Sequence, residues 1–115
     1  RFFLNNFGNH YRDFTYIDDV VDIILDISQN KQITGNHIFN ICSSNPISLK
    51  KLVKLAENNL GKIKIIKRKF QTGDIIKSYG SNRKIKNYLP KVKFTNFEKG
   101  FIKTLNWYKK FNKII

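Results

Sequence analysis

Apolar residues recur with two different periods along this chain, one typical of strands and one typical of helices. The run Phe2 to Leu4 predicts the end of a strand, and the asparagines and glycine of residues 5–10 predict a turn. Residues 12–21, Arg-Asp-Phe-Thr-Tyr-Ile-Asp-Asp-Val-Val, predict an extended, strand-like segment that runs directly into a helix over residues 17–29. The helix follows from the spacing of its apolar positions, which are Val20, Val21, Ile23, Ile24 and Ile27.

Two carboxylates stand at the predicted start of this helix. Asp18 and Asp19 are placed to accept hydrogen bonds from the free N–H groups of the first turn and to interact with the positive end of the helix dipole. We therefore expect both side chains to cap this helix.

The middle of the chain continues the alternation of strands and helices. Residues 37–41 form the short apolar run of a buried strand. Ser48 predicts the N-cap of the next helix, and Gly61 predicts its C-terminal end. Lysine and isoleucine then alternate over residues 62–70, which predicts a half-exposed strand.

The last third of the chain predicts two more helices. The first covers about residues 81–88 and is ended by Pro90. The second is opened by Thr95 and Glu98, which have the spacing of a capping box. The order of elements favours an α/β fold over a helical bundle or a β-sandwich.

Composition narrows the class of protein. The 115 residues carry a formal net charge of +14, and most of the basic residues are lysines. This charge makes anionic partners plausible, nucleic acid among them, although an AT-rich coding bias produces the same composition. The segment from Lys62 to Lys69 is the candidate for a cationic nucleic-acid-binding strand. Cys42 is the only cysteine, so no internal disulfide can form, and we interpret it as a small core residue in a reducing compartment, the cytoplasm.

The start of the chain and its hydropathy suggest a soluble piece of a longer protein. Residues 1–5 begin abruptly in apolar sequence without a methionine, as a chain cut from something longer would. No apolar run approaches the roughly 20 residues that a membrane span needs, and no signal-peptide pattern is present. We therefore expect no membrane association.

Three polar residues, Arg12, Gln71 and Asp74, are candidates for chemistry. Arg12 carries a planar guanidinium that suits bidentate contact with phosphate or carboxylate, although on these residues alone a pair of Arg12 with an aspartate that only holds a loop is the favoured alternative. Residues 71–74, Gln-Thr-Gly-Asp, predict a tight turn that ends in a carboxylate. His10 lies in a polar turn with no carboxylate placed beside it, so we interpret it as a solvated loop residue.

Several catalytic and cofactor motifs are absent from the sequence. It contains no G-x-G-x-x-G fingerprint, P-loop, G-x-S-x-G elbow or Tyr-x-x-x-Lys pair, and no Cys and His set with metal-ligand spacing. We therefore assign no catalytic, cofactor-binding or metal-binding residue in this chain. Arg12 and the turn 71–74 instead indicate parts of a binding surface.

The motifs resemble a known family. Residues 12–21, His-Ile-Phe-Asn-Ile at 37–41 with Asn-Pro-Ile-Ser-Leu at 45–49, Gln-Thr-Gly-Asp at 71–74 and Asn-Trp-Tyr-Lys at 106–109 resemble, in that order, the C-terminal part of NAD-dependent sugar-nucleotide epimerases. These belong to the extended short-chain dehydrogenase/reductase superfamily, and the chain looks most like bacterial UDP-glucuronate 4-epimerases of capsule synthesis. The resemblance covers nearly the whole chain. It implies that residues 1–115 are a substrate-domain fragment of a Rossmann-type α/β fold whose dinucleotide-binding part is missing.

The resemblance also implies roles for single residues. Arg12 would bind the nucleotide diphosphate, and Asp74 would hold the uridine ribose hydroxyls. Gln71 stands where UDP-glucose 4-epimerases commonly have an arginine, so one phosphate contact would become a neutral hydrogen bond. Thr72 replaces the proline usual in the subgroup, and Asp19 keeps its expected capping role.

The family reaction is oxidation at C4 of the sugar by bound NAD, rotation of the 4-keto intermediate, and return of the hydride to the other face. The resemblance thus implies an isomerase that binds a UDP-sugar and forms a homodimer at full length, with NAD held by the missing N-terminal part. This chain alone would be inactive and would expose apolar faces. Within the family, a dehydratase, a decarboxylase or a UDP-glucose 4-epimerase are alternatives, and outside it a nucleic-acid-binding module.

Overall fold

The computed structural model describes residues 2–112. This part of the chain contains both strands and helices, as the sequence predicts, and they alternate from β2 to β4. The strands are β1 (Phe2–Leu4), β2 (Tyr11–Arg12), β3 (Ile47–Ser48), β4 (Ile65–Lys67) and β5 (Lys77–Ser78). The helices are α1 (Ile17–Gln29), α2 (Leu49–Leu60), α3 (Arg83–Tyr88) and α4 (Phe97–Asn112). No helix in residues 2–112 combines the length and the apolar content needed to cross a membrane.

The elements form two compact units, which are described separately. The first unit contains the residues up to Asp13 together with Asn45–Tyr79. The second contains Phe14–Ser44 and the residues from Gly80 onward.

The first unit has two small sheets. In one, β1 pairs in parallel with β4, so that Phe2 lies opposite Ile65. In the other, β2 lies between β3, to which it is antiparallel, and β5, to which it is parallel. Leu4 and Ile47 are the buried apolar side chains of this unit, with 4% and 8% of their surface exposed.

Helix α2 in the first unit begins and ends where the sequence predicts. The Ser48 hydroxyl accepts a hydrogen bond from the Lys51 N–H at 3.3 Å, which satisfies one free donor of the first turn. Gly61 adopts φ +84°, a conformation that side chains disfavour, and its N–H donates to the Glu57 carbonyl at 3.0 Å. Both caps use groups that are close in sequence, so the pattern alone locates them.

The second unit contains α1, α3 and α4. Its buried apolar side chains are Ile23 of α1 and Ile85 of α3, which are 3% and 0% exposed. Gly100 of α4 allows a close helix contact, because a Cβ at this position would lie 3.3 Å from the Tyr16 Cβ. Cys42 is half-buried against Gly80, consistent with its interpretation as a packing residue.

Two predicted extended segments form no strand. Residues 13–16 precede α1 without regular structure, and residues 37–41 are likewise outside any strand. In this second segment Ile38 is 85% exposed, whereas the rings of His37 and Phe39 pack against Tyr88 at 5.2 Å. An apolar run becomes a strand only where another strand completes its hydrogen bonds, and none among the described residues pairs with this one.

The predicted helix caps at Asp19 and Thr95 are also wrong. The N-cap of α1 is Tyr16, which makes no side-chain cap hydrogen bond, although Asp18 and Asp19 do lie in the first turn, near the positive end of the helix dipole as predicted. The Asp19 carboxylate instead accepts two hydrogen bonds from Thr95, one from its N–H and one from its hydroxyl, each at 2.7 Å. Because Thr95 donates to Asp19, the start of α4 is capped by Asn96, whose side-chain oxygen accepts the Glu98 N–H at 3.0 Å.

Candidate functional site

The tight turn predicted at residues 71–74 is present in the first unit, and it brings two of the three candidate residues together. The Asp74 N–H donates to the Gln71 carbonyl at 3.1 Å, and Gly73 in the turn adopts φ +93°. The Gln71 side chain is exposed, and its oxygen accepts a hydrogen bond from the Asn5 amide at 2.9 Å. The turn therefore presents a carboxylate and an amide from one short loop.

His10 joins this turn, contrary to its interpretation as a solvated loop residue. Its surface is only 4% exposed, and its Nε2 lies 3.9 Å from the Asp74 Oδ2. The ring packs edge-on against Phe70 at 6.1 Å, and the His10 carbonyl accepts the Leu49 N–H at 2.8 Å. No local pattern could reveal this contact, because the carboxylate comes from a distant part of the sequence.

Three polar atoms around the turn are buried and unpaired. Asn5 Oδ1, His10 Nε2 and Asp74 Oδ2 have no hydrogen-bond partner among the residues that the structure describes. Leaving such atoms unpaired costs about 1–3 kcal/mol each. This concentration of unpaired groups distinguishes the turn from an ordinary surface loop, where polar atoms contact water.

Arg12 lies in the central strand of the three-stranded sheet. It is opposite Ile47 on one side and Ser78 on the other. The side chain is half-buried, and its Nη1 donates to the Tyr11 carbonyl at 2.7 Å. This contact uses one of the five guanidinium N–H donors, which leaves most of the planar group available to an anion.

Arg12 lies in β2, which pairs with β5, the strand that follows the turn. Asp74 begins the segment that leads into β5, and in that segment the Ile76 carbonyl accepts the Tyr11 N–H at 2.8 Å. No side-chain hydrogen bond or ion pair joins Arg12 to Gln71 or Asp74 within residues 2–112. The structure therefore brings Gln71 and Asp74 together and places Arg12 on the strand beside them.

This set of groups suits binding better than catalysis. A guanidinium contacts phosphate oxygens, and a carboxylate accepts hydrogen bonds from a vicinal pair of hydroxyls. Among the described residues, no group of three or more His, Cys, Asp or Glu side chains is arranged to hold a metal ion.

Comparison with known proteins gives relatives that are much longer than this chain. No protein-family model matches the sequence. The chain is 38% identical over 109 residues to an uncharacterised protein from Methanocaldococcus jannaschii. This match covers 90% of this chain and 31% of that protein. It is 29% identical over 125 residues to protein CapI from Staphylococcus aureus. This match covers 94% of this chain and 37% of that protein. The chain thus spans about a third of the length of these relatives.

Solved structures define the class of fold. UDP-glucose 4-epimerase from Thermotoga maritima, solved with UDP-glucose, matches with a TM-score of 0.80 and 26% identity over 96% of this chain and 35% of that chain. dTDP-glucose 4,6-dehydratase from Bacillus anthracis, in complex with NAD, matches with a TM-score of 0.76 and 26% identity over the same shares. The chain therefore has the α/β fold of the short-chain dehydrogenase/reductase (Rossmann-type) sugar-nucleotide enzymes, in an extent consistent with their C-terminal portion.

Proposed function

We propose that this chain is the substrate-binding part of an NAD-dependent nucleotide-sugar 4-epimerase that acts on UDP-glucuronate or a related UDP-sugar. One observation carries the proposal, namely that the turn with Gln71 and Asp74 lies beside the strand that holds Arg12, in a fold shared with enzymes of nucleotide sugars. A homodimer in the cytoplasm is the corresponding assembly of the complete protein.

Arg12 is the proposed diphosphate contact. The Arg12 backbone is fixed in β2, and Nη1 of its guanidinium donates to the Tyr11 carbonyl. The orientation of the guanidinium is therefore restricted before a ligand binds. Restricting the side chain in advance lowers the entropy lost on binding. A pyrophosphate offers pairs of oxygens that match the remaining N–H groups.

Asp74 is the proposed partner of the uridine ribose. A carboxylate can accept a hydrogen bond at each oxygen, and its side chain is 31% exposed, so a ligand can reach it. Gln71 supplies a neutral amide beside it, in place of a second positive charge. We therefore place the diphosphate nearer Arg12 and the ribose nearer Asp74.

The residues of this chain do not fit NAD. A dinucleotide site needs glycines where a strand enters a helix, so that backbone can approach the pyrophosphate. Here β3 passes directly into α2 through Ser48, whose hydroxyl is already used as the helix cap. The residues that enter α1 are Asp13 to Tyr16, and they contain no glycine either. NAD would be held by other parts of a longer polypeptide, and no step of its chemistry is assigned to this chain.

Nucleic acid is the less favoured ligand. The lysines from Lys62 to Lys69 are exposed. In the same segment, however, the Arg68 guanidinium lies over the Phe3 ring at 3.6 Å, and the Arg68 backbone N–H donates to the Leu4 carbonyl. The similar solved structures are enzymes of nucleotide sugars. These observations favour the sugar-nucleotide site.

The test is a titration of the complete polypeptide with UDP-glucuronate, in the wild type and in Arg12→Ala. Removing a bidentate charged contact should weaken binding by about 30-fold or more. Arg83→Ala is the matched control, because Arg83 is an exposed arginine at the start of α3 in the second unit. It should bind as the wild type does.

A second arm of the test concerns the reaction. Incubation of the complete polypeptide with NAD and UDP-glucuronate should produce the C4 epimer, detected by proton NMR of the sugar. Equal loss of affinity in Arg12→Ala and Arg83→Ala, or no binding of any UDP-sugar, would contradict the proposed site. A sugar product that has lost a molecule of water would reassign the enzyme to the dehydratases, and one that has lost carbon dioxide would reassign it to the decarboxylases.

A further inference from the structure

His10 and Asp74 form a pair that the proposed roles of Arg12, Gln71 and Asp74 leave unexplained. Their nearest polar atoms, His10 Nε2 and Asp74 Oδ2, are 3.9 Å apart, which is within the range of an ion pair but too long for a hydrogen bond. Both atoms are buried, and neither has a hydrogen-bond partner in residues 2–112. A movement of about 1 Å by either side chain would let the two atoms satisfy each other.

The two partners differ in their freedom to make that movement. The His10 side chain is 5% exposed, lies against Phe70, and is attached to backbone whose carbonyl is bonded to the Leu49 N–H. The Asp74 side chain is 31% exposed at the end of a tight turn. The imidazole is therefore the fixed partner, and the carboxylate is the one that can rotate.

We propose that His10 is the positioning residue of the nucleotide site: it donates a hydrogen bond from Nε2 to Asp74 Oδ2 when a ligand is bound and so directs the other carboxylate oxygen to the ligand hydroxyls. This inference rests on the proposed function, since it assumes that Asp74 contacts the ribose. Hydrogen bonds at binding sites are often long without ligand and shorten in the complex. His10 itself touches no ligand atom.

The geometry explains why the carboxylate needs such a partner. Since Oδ2 is buried and the side chain as a whole is partly exposed, the oxygen that a ligand can reach is Oδ1. A carboxylate that rotates freely populates several orientations, and only some of them can accept hydrogen bonds from the two ribose hydroxyls, so its affinity for the ligand is lower. One fixed N–H donor on Oδ2 selects the orientation in which Oδ1 accepts from the ligand.

The experiment measures the affinity of the complete polypeptide for UDP by isothermal titration calorimetry in three proteins. His10→Phe keeps a ring against Phe70 but removes the N–H donor. His10→Gln loses the ring but places an amide N–H close to the position of the imidazole Nε2. We expect His10→Phe to bind UDP about tenfold more weakly and His10→Gln to recover most of this loss. Circular dichroism and thermal unfolding of each variant check that it is folded.

A double-mutant cycle with Asp74→Ala tests whether His10 acts through the carboxylate. The tenfold effect of His10→Phe should disappear when Asp74 is alanine, because the donor then has no carboxylate to direct. Where Asp74→Ala binds too weakly to measure, the contrast between the Phe and Gln variants decides the matter by itself.

The outcomes separate this inference from the proposed function. A wild type that binds no UDP overturns the proposed function, and the inference with it. A wild type that binds UDP overturns the inference alone if His10→Phe binds equally well, if His10→Gln binds as weakly as His10→Phe, or if the effect of His10→Phe persists in full without Asp74.

Discussion

Tyr16, the N-cap residue of α1, shows how a single carboxylate changes the chemistry of its neighbour. A hydrogen bond to Asp18 is the largest cause that raises the pKa of the Tyr16 phenol above its ordinary value of 10.0. Burial and the negative charges of Asp18 and Asp19 raise it further. All these causes favour the neutral phenol over the phenolate.

Asp18→Asn should lower the Tyr16 pKa toward its ordinary value, because the charge and the carboxylate acceptor are removed together. Titration of the Tyr16 ring carbons by NMR measures this change. Asp22→Asn is the control, since Asp22 is exposed on the same helix and is not among the causes of the shift. An unchanged midpoint in Asp18→Asn would contradict the assigned cause.

The raised pKa of Tyr16 also makes the free energy of unfolding depend on pH. A phenol whose pKa is raised in the folded protein holds its proton more tightly there than in the unfolded chain. Its contribution to the free energy of unfolding is therefore complete below pH 10.0 and is lost as the pH rises through the higher folded value. Asp18→Asn should reduce this loss at alkaline pH.

Asn82 is a second residue whose environment was not evident from its neighbours in sequence. It is 7% exposed, and its side-chain amide donates to the carbonyls of Cys42 and Ser43 at 3.0 and 3.2 Å. Its backbone N–H donates to the Ser44 hydroxyl at 2.9 Å. Asn82 thus holds the segment 42–44 next to the start of α3.

Asn82→Ala should lower the free energy of unfolding by about 2 kcal/mol, because two buried hydrogen bonds to carbonyls are lost. Asn87→Ala, at an exposed position within α3, should change it by less than about 0.5 kcal/mol. Urea unfolding of the two variants gives both values, and similar values would show that the amide contacts contribute little.

At the scale of elements, α1 and the start of α4 are connected by one carboxylate. Asp19 accepts both hydrogen bonds of Thr95, and the two residues are partly buried. The contact determines where the chain enters α4. The apolar spacing of residues 17–29 predicts α1, but this connection joins residues that are far apart in sequence.

Thr95→Val should destabilise the fold by about 1.5–3 kcal/mol, because a partly buried carboxylate oxygen loses its hydroxyl donor while the shape of the side chain is kept. Thr95→Ser restores the hydroxyl and should recover most of that loss. Thermal unfolding measured at one pH and one salt concentration compares the three proteins. If Thr95→Ser is as destabilising as Thr95→Val, restoring the hydroxyl does not recover the stability, and the hydrogen bond to Asp19 is not the cause of the loss.

At the scale of the whole molecule, α1 has more apolar surface than its own unit covers. Ile23 is buried, yet four apolar side chains at helical spacing on the same helix are about half exposed or more, namely Ile17, Val21, Ile24 and Leu25. An uncovered apolar stripe of this kind promotes association. The chain also spans only about a third of the length of its relatives.

The double variant Ile24→Lys, Leu25→Lys should therefore reduce self-association of the 115-residue chain without loss of helix. Light scattering after size-exclusion chromatography measures the mass, and circular dichroism measures the helix content. The matched control is Asp22→Asn with Asp26→Asn, which raises the net charge by the same amount at exposed positions of the same helix and leaves the stripe intact. Equal effects of both pairs would show that net charge alone controls association.

The sequence by itself determined the helices, the caps of α2 and the turn at Gln71–Asp74. These features depend on spacing and on hydrogen bonds between residues a few positions apart, so a local pattern contains all the information they need. It also indicated the α/β class and the candidate residues Arg12, Gln71 and Asp74.

Only the tertiary structure decided which distant residues meet. In the structure, His10 is buried beside Asp74, and the Asp19 carboxylate accepts hydrogen bonds from Thr95 rather than from the first turn of α1. Residues 37–41 pair with no strand in the described part of the chain. Each of these outcomes depends on the long-range path of the chain, because a buried polar group or a strand takes whichever partner the fold brings near. Periodicity does not encode that choice.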